Sequence, residues 1–163
     1  MIDEKLEVVV GKLLREKGLT VALGESCTGG LIGHRLTNVA GSSDYFLGGV
    51  IAYAYDAKER LLGVEHNTLY EHGAVSAETA SEMAQGARKA LGSDVGISVT
   101  GIAGPGGGMP GKPVGLTYIA LSARDIERVE QFVWDGERDS NKILSADAAL
   151  MMLKEYLEQS VSA

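Results

Sequence analysis

A chain of 163 residues that is 45% hydrophobic and carries a formal net charge of −7 is long enough for one domain with a full core, and its composition is that of an ordinary soluble globular protein. The acidic balance argues against a partner held by its phosphate backbone, so no nucleic acid is expected; a single cysteine, Cys27, excludes an intrachain disulfide framework and fits a reducing compartment. No apolar run reaches membrane-spanning length, and the opening Met1-Ile2-Asp3-Glu4-Lys5 lacks the basic-then-apolar order of a signal peptide, which together make residues 1–163 a single cytoplasmic domain in expectation.

In chain order, Leu6, Val9, Val10, Leu13 and Leu14 recur at helical spacing, and Gly18 supplies the stop. Leu19 to Leu23 reads as a strand, and Leu31 to Thr37 as a helix. A turn at Ala40-Gly41-Ser42-Ser43-Asp44 leads into Tyr45 to Ala54, whose aromatic and branched residues predict a buried strand that approaches a neighbour closely through Gly48-Gly49. A helix containing Ala57 to Leu62 ends at Gly63. Ser76 caps a longer helix, with Glu78 in its first turn, that runs to about Leu91 before Gly92. Val95 to Thr100 reads as a strand buried on both faces, followed by a glycine-rich segment over 101–115. Leu116–Ser122 and Val129–Trp134 are two further strands separated by a polar turn around Arg124-Asp125. The last helix has Ile143, Leu144, Ala148, Met151, Met152 and Tyr156 as its expected apolar side. Strands and helices alternate early and two strands are adjacent late, which predicts a three-layer α/β/α sandwich around a mixed sheet.

In such sheets ligands collect beyond the carboxyl ends of strands, and three segments qualify: Gly24–Gly30, Tyr53–Lys58 and Thr100–Gly111. In the first, Gly24-Glu25-Ser26-Cys27-Thr28-Gly29-Gly30 joins a strand to a helix through small residues, so Ser26 is either an N-cap or a nucleophile beside free backbone donors. Lys58 by itself reads as a solvated helix lysine and Tyr53 as a strand aromatic. The glycines of Thr100-Gly101-Ile102-Ala103-Gly104-Pro105-Gly106-Gly107-Gly108 either line a pocket with backbone or form a loose connection. They match neither the dinucleotide fingerprint nor a Walker loop. The spacing from Tyr53 or Tyr55 to Lys58 is not Tyr-x-x-x-Lys, Gly29 stands where a Ser-x-x-Lys motif needs lysine, and no His or carboxylate cluster has ligand spacing, so no metal and no organic cofactor is expected.

Four ordered blocks carry a resemblance: Glu25-Ser26-Cys27-Thr28-Gly29-Gly30; Ala40-Gly41-Ser42-Ser43 with Tyr45-Phe46-Leu47-Gly48-Gly49-Val50; Ala52-Tyr53 with Ala57-Lys58; and Val99 to Gly107 with Lys112-Pro113-Val114-Gly115. Over nearly the whole chain they resemble the carboxy-terminal domain of the competence-damage-inducible protein CinA, in its stand-alone form without the amino-terminal molybdopterin-binding-like domain of longer members. Active members are nicotinamide-nucleotide amidohydrolases, which convert nicotinamide mononucleotide to nicotinate mononucleotide and ammonia. The resemblance implies a small-molecule nucleotide substrate and a homo-oligomer. A catalytically silent nucleotide-binding or regulatory member of the same fold is the alternative.

The resemblance also assigns roles. Ser26 is the nucleophile, Lys58 the general base in place of a histidine, Tyr53 a proton relay or positioning hydroxyl, and Thr100 completes the polar cluster. The N–H groups after Ser26 are the natural oxyanion donors, each worth roughly two to three orders of magnitude in rate. For the rest of the substrate, the Thr28-Gly29-Gly30 helix start, the glycine loop with Gly101, Gly104, Gly106 and Gly107, and Arg138 all offer donors, and the sequence does not choose among them. Here the chain departs from the family pattern, with Gly136-Glu137-Arg138 and Lys142 where Gly-Asp-Arg and a second arginine are usual, which weakens Lys142 more than Arg138.

Overall fold

The computed structural model describes residues 3–160. Five strands form one sheet in the order β2-β1-β3-β4-β5, with β1 (Val21–Glu25) parallel to both β2 (Phe46–Ile51) and β3 (Val95–Gly101), and with β4 (Leu116–Ala123) and β5 (Glu127–Val133) antiparallel additions. α1 (Leu6–Lys17), α2 (Leu31–Thr37) and α6 (Arg138–Gln159) pack on one face, where Val10, Leu14, Ile32, Leu36, Leu150 and Leu153 meet Leu23, Ile97, Val99, Ile119 and Leu121. α3 (Tyr55–Leu62), α4 (His66–His72) and α5 (Ala77–Leu91) cover the other face, with Leu62, Leu69, Met83 and Ala87 around Ala22. This is the expected three-layer arrangement around a mixed sheet. Among the described residues, no helix is long and apolar enough to cross a membrane.

Strand β3 is buried on both faces as its sequence predicts, and the two faces differ. Val95, Ile97 and Val99 enter the large core, whereas Gly96, Ser98 and Thr100 meet the α5 side with small or polar groups that let the helix approach closely. Ser98 donates to Ala80 O at 2.5 Å, and a Cβ on Gly96 would collide with the Ala84 carbonyl. Ser76 caps α5 by accepting from Thr79 N at 3.2 Å, as its position before the Ala- and Glu-rich run implies.

Two expectations fail. β2 is shorter than the apolar run 45–54 and is an edge strand with alternating exposure, not a buried one, with Leu47 and Ile51 on its exposed face. Gly49 does approach a neighbour closely, facing Leu23 of β1. The buried side of α6 is Asn141, Ser145, Ala146, Ala149, Leu150, Met152, Leu153 and Leu157, whereas Ile143, Leu144 and Met151 are exposed. The helix has an apolar stripe on the outside as well, and its inner face carries polar residues that hydrogen bonds satisfy. Asn141 donates to Ala103 O and Gly136 O and accepts from Gly136 N, and Ser145 donates to Asn141 O while accepting from Trp134 Nε1. Ile143, Leu144, Met151, Phe132 and Trp134 line a groove of about 930 Å³ rimmed by acidic side chains, away from Ser26. Helix α4, which no periodic pattern announces, fills the stretch between Val64 and Gly73.

Candidate active site

The chain leaves β1 to form β2 on one side of it and then crosses back to form β3 on the other, so the carboxyl ends of β1 and β3 flank a topological switch point. Ser26 follows β1 directly and its N–H donates to Val99 O of β3 at 3.0 Å, which pins the serine to the neighbouring strand. Thr100 and Gly101 end β3, and Lys58 enters from the first turns of α3.

These elements enclose a cavity of about 180 Å³ lined by Ser26, Cys27, Tyr53, Lys58, Ala74, Val75, Thr100, Gly101, Ala103 and Arg138. Lys58 is 1% exposed, and its Nζ lies 3.0 Å from Ser26 Oγ, 2.8 Å from Ala52 O and 3.3 Å from Tyr53 O. No carboxylate lies within ion-pair distance of it among the described residues. Burial without a compensating anion therefore pulls its pKa down to about 8. A neutral amine has two hydrogens and one lone pair. Two carbonyls take the hydrogens here, and the remaining tetrahedral direction faces the serine hydroxyl, which is the arrangement a general base requires. Burial pushes the neighbouring Cys27 thiol the opposite way, up to about 11, so it stays protonated near neutrality and is a poor nucleophile.

The turn after Ser26 leaves the Cys27 and Thr28 N–H groups without an acceptor among the described residues; Cys27 lines the cavity, so its N–H is the one placed beside the serine hydroxyl. The Thr100 hydroxyl donates to Ala74 O at 2.7 Å, holding the wall of the cavity. Tyr53 is 61% exposed, and its hydroxyl accepts from Arg138 Nη2 at 3.0 Å, so the hydroxyl stands at the mouth and bonds neither Ser26 nor Lys58. Arg138 also donates to Gly104 O at 2.7 Å, tying the glycine loop to the start of α6.

Arg138 is shared with an outer cleft of about 690 Å³ lined by Ala103, Gly104, Pro105, Val114, Glu137, Asp139 and Lys142. Lys142 has no ion-pair partner among the described residues and sits over Gly29, its Nζ 3.9 Å from where a Cβ would be. The inner cavity thus gathers Ser26, Lys58, Thr100, Gly101, Tyr53 and Arg138, and Gly104 lies on the outer cleft. Gly106 and Gly107 are exposed on the loop beyond it. Thr28 is buried with its hydroxyl on Glu25 at 2.6 Å, and Gly30 faces Ile51, so neither lines the two hollows. Ala74, Val75 and Ala103 carry no sequence signal, since they contribute shape and backbone only. Glu25 is legible only as the residue before the serine, although it anchors the whole turn.

Sequence and structure comparisons show the family and the fold. The CinA C-terminal domain model matches residues 3–157. A CinA-like protein of Geobacter sulfurreducens is 53% identical over 155 residues, 95% of this chain and 38% of that protein; a CinA-like protein of Salinibacter ruber is 55% identical over 150 residues, 91% of this chain and 36% of that protein. The chain therefore spans little more than a third of the length of these curated relatives. The crystal structure of a CinA superfamily protein from Klebsiella pneumoniae superposes with a TM-score of 0.92 at 30% identity, covering 95% of this chain and 97% of that one. That of the competence/damage inducible protein from Agrobacterium tumefaciens superposes at 0.86 with 39% identity, covering 98% and 99%. With nearly every described element matched in sequence and in space, this chain belongs to the CinA C-terminal domain family.

Proposed function

We propose that the chain is a serine amidohydrolase that removes ammonia from the carboxamide of nicotinamide mononucleotide. The observation that carries the reading is the buried Lys58 amine, 3.0 Å from Ser26 Oγ and held by two carbonyls. Ser26 Oγ attacks the carboxamide carbon as Lys58 takes the hydroxyl proton, and the developing oxyanion is held by the Cys27 N–H group. The Lys58 ammonium then gives its proton to the departing nitrogen, so ammonia leaves and an ester to Ser26 remains. Water attacks that ester with Lys58 again as base, and the carboxylate product is released with Ser26 restored.

The division into a small inner hollow and a larger cationic cleft supports a substrate with a compact reacting end and an anionic tail. A cavity of about 180 Å³ suits a planar ring and its amide, while Arg138 and Lys142 in the outer cleft offer the phosphate charge-assisted bonds. The test is ammonia release from nicotinamide mononucleotide by the purified protein, paired with calorimetric binding of the same nucleotide to Ser26→Ala. The expected result is turnover in the wild type, and in the variant a loss of at least a thousandfold with binding retained. A wild type that binds the nucleotide but releases no ammonia contradicts the reading and leaves a nucleotide-binding protein. A Ser26→Ala variant with half of wild-type turnover removes the serine from its role.

A further inference from the structure

Glu25 is the last residue of β1, is 3% exposed, and stands immediately before the serine, yet the reaction just described makes no use of it. Three donors converge on its carboxylate. Oε1 accepts from Thr28 Oγ1 at 2.6 Å and from Ile32 N at 3.0 Å, and Oε2 accepts from Gly33 N at 3.1 Å. Helix α2 has Gly30 as its N-cap and so no side-chain cap of its own, and Glu25 reaches across the intervening turn to satisfy free N–H groups of its first turn. A buried carboxylate with three donors is rigid, because moving it would strand each of them. The segment it brackets, from Ser26 to Thr28, carries the nucleophile and both unengaged N–H groups. Glu25 also fills the start of α2 from within, so that the Ile32 and Gly33 N–H groups are not where a substrate anion sits.

We propose that Glu25 is the positioning residue of the oxyanion site: by fixing Thr28 and the start of α2, it holds the turn that carries the Cys27 N–H group where the oxyanion forms. The proposal rests on the serine-hydrolase reading but not on the identity of the amide. Glu25 touches no substrate atom. Its effect is exerted in the transition state, where the oxyanion donors act, and is weak in the ground state.

The substitution that tests it is Glu25→Gln, which keeps size and shape. It must turn an NH₂ toward at least one of the three donors and so breaks the convergence. The measurements are kcat and KM for ammonia release from nicotinamide mononucleotide, the second-order rate of Ser26 labelling by an alkyl fluorophosphonate, and the melting temperature. The expected result is a fall of about ten- to a hundredfold in both kcat and labelling rate, since a displaced oxyanion donor costs up to two to three orders of magnitude. KM and the pH midpoint of the ascending limb stay within twofold and a few tenths of a unit. Thr28→Ser, which keeps the hydroxyl, remains within threefold of wild type, whereas Thr28→Val, which removes one donor, moves in the direction of Glu25→Gln. If Glu25→Gln proves too unstable to assay, the Thr28 pair decides the matter alone. Labelling in Glu25→Gln or Thr28→Val within threefold of wild type, or a raised KM with kcat retained, overturns the proposal. A wild type that is labelled but releases no ammonia counts against the nicotinamide reading, and the labelling rates still decide the role of Glu25.

Discussion

At the residue scale the informative group is Lys58, because its burial has opposite consequences for stability and for chemistry. Below pH 8 the amine is protonated in both folded and unfolded chains, and the folded chain bears the full cost of enclosing the charge. Between about 8 and the ordinary value of 10.5 the folded chain has released a proton that the unfolded chain still binds, so stability rises with pH. A separation of this size corresponds to on the order of 3 kcal/mol. Lys58→Met therefore gains roughly 1–2 kcal/mol over wild type at pH 7, after allowing for the Ala52 carbonyl it leaves unpaired, and is inactive. That advantage shrinks as pH passes 8 and is gone by pH 10.5. Urea denaturation of both proteins at pH 7 and pH 10 checks it, and a stability difference independent of pH shows the amine to be less enclosed than its position implies.

At the element scale the site depends on how closely α5 lies on the sheet. Gly96 of β3 faces the Ala84 carbonyl, and Gly86 of α5 faces the Leu62 carbonyl at the end of α3, so both contacts are backbone against backbone with no room for a methyl group. Gly96→Ala must push the helix away and is expected to cost about 2–4 kcal/mol, as overpacking at rigid sites does. Because the loop before α5 carries Ala74 and Val75 into the cavity, the same change lowers turnover in whatever fraction remains folded. A melting temperature within two degrees of wild type would mean that the helix adapts. This close packing is only half legible in the sequence: Val95 to Thr100 announces a strand buried twice over, but nothing in it says that the small face meets α5. For the same reason the inner face of α6 escapes a hydropathy reading, since Asn141 and Ser145 are buried through specific hydrogen bonds while Ile143, Leu144 and Met151 stay outside. The edge position of β2 is likewise a fact of topology that an apolar run cannot express.

At the scale of the whole molecule, a chain with net charge −7 is a poor electrostatic host for a nucleotide monophosphate, so local cations must offset the field. Arg138 and Lys142 lie one turn apart on α6 at the outer cleft. Lys142→Gln is expected to raise KM about ten- to a hundredfold with kcat nearly unchanged, since a charge-assisted contact to phosphate is worth about 1.5–3 kcal/mol. The ratio to wild type should narrow as salt rises toward 0.5 M. A lowered kcat at constant KM would place Lys142 in the chemistry. The sequence reveals the three segments that carry Ser26, Lys58 and Thr100 because strand-to-helix turns in such sheets converge at one end, and only the family resemblance singles out these residues within them. It conceals the standing of Lys142, whose departure from the family's arginine made it the weaker candidate, and of Glu25, whose partners are backbone N–H groups seven and eight residues away.

The account turns on a serine activated by a lysine that is neutral in a useful fraction of molecules near physiological pH. The measurement that tests this most directly is the pH dependence of kcat/KM for ammonia release from nicotinamide mononucleotide, in the wild type and in Lys58→Arg. An ascending limb with its midpoint near pH 8 is predicted for the wild type, matching the lowered pKa of the enclosed amine. Lys58→Arg, which keeps the charge but does not lose its proton in this range, is predicted to be at least a thousandfold slower at every pH. A limb centred near 6.5, where an imidazole titrates, or an arginine variant with substantial turnover would contradict the central claim and send the search for the base elsewhere.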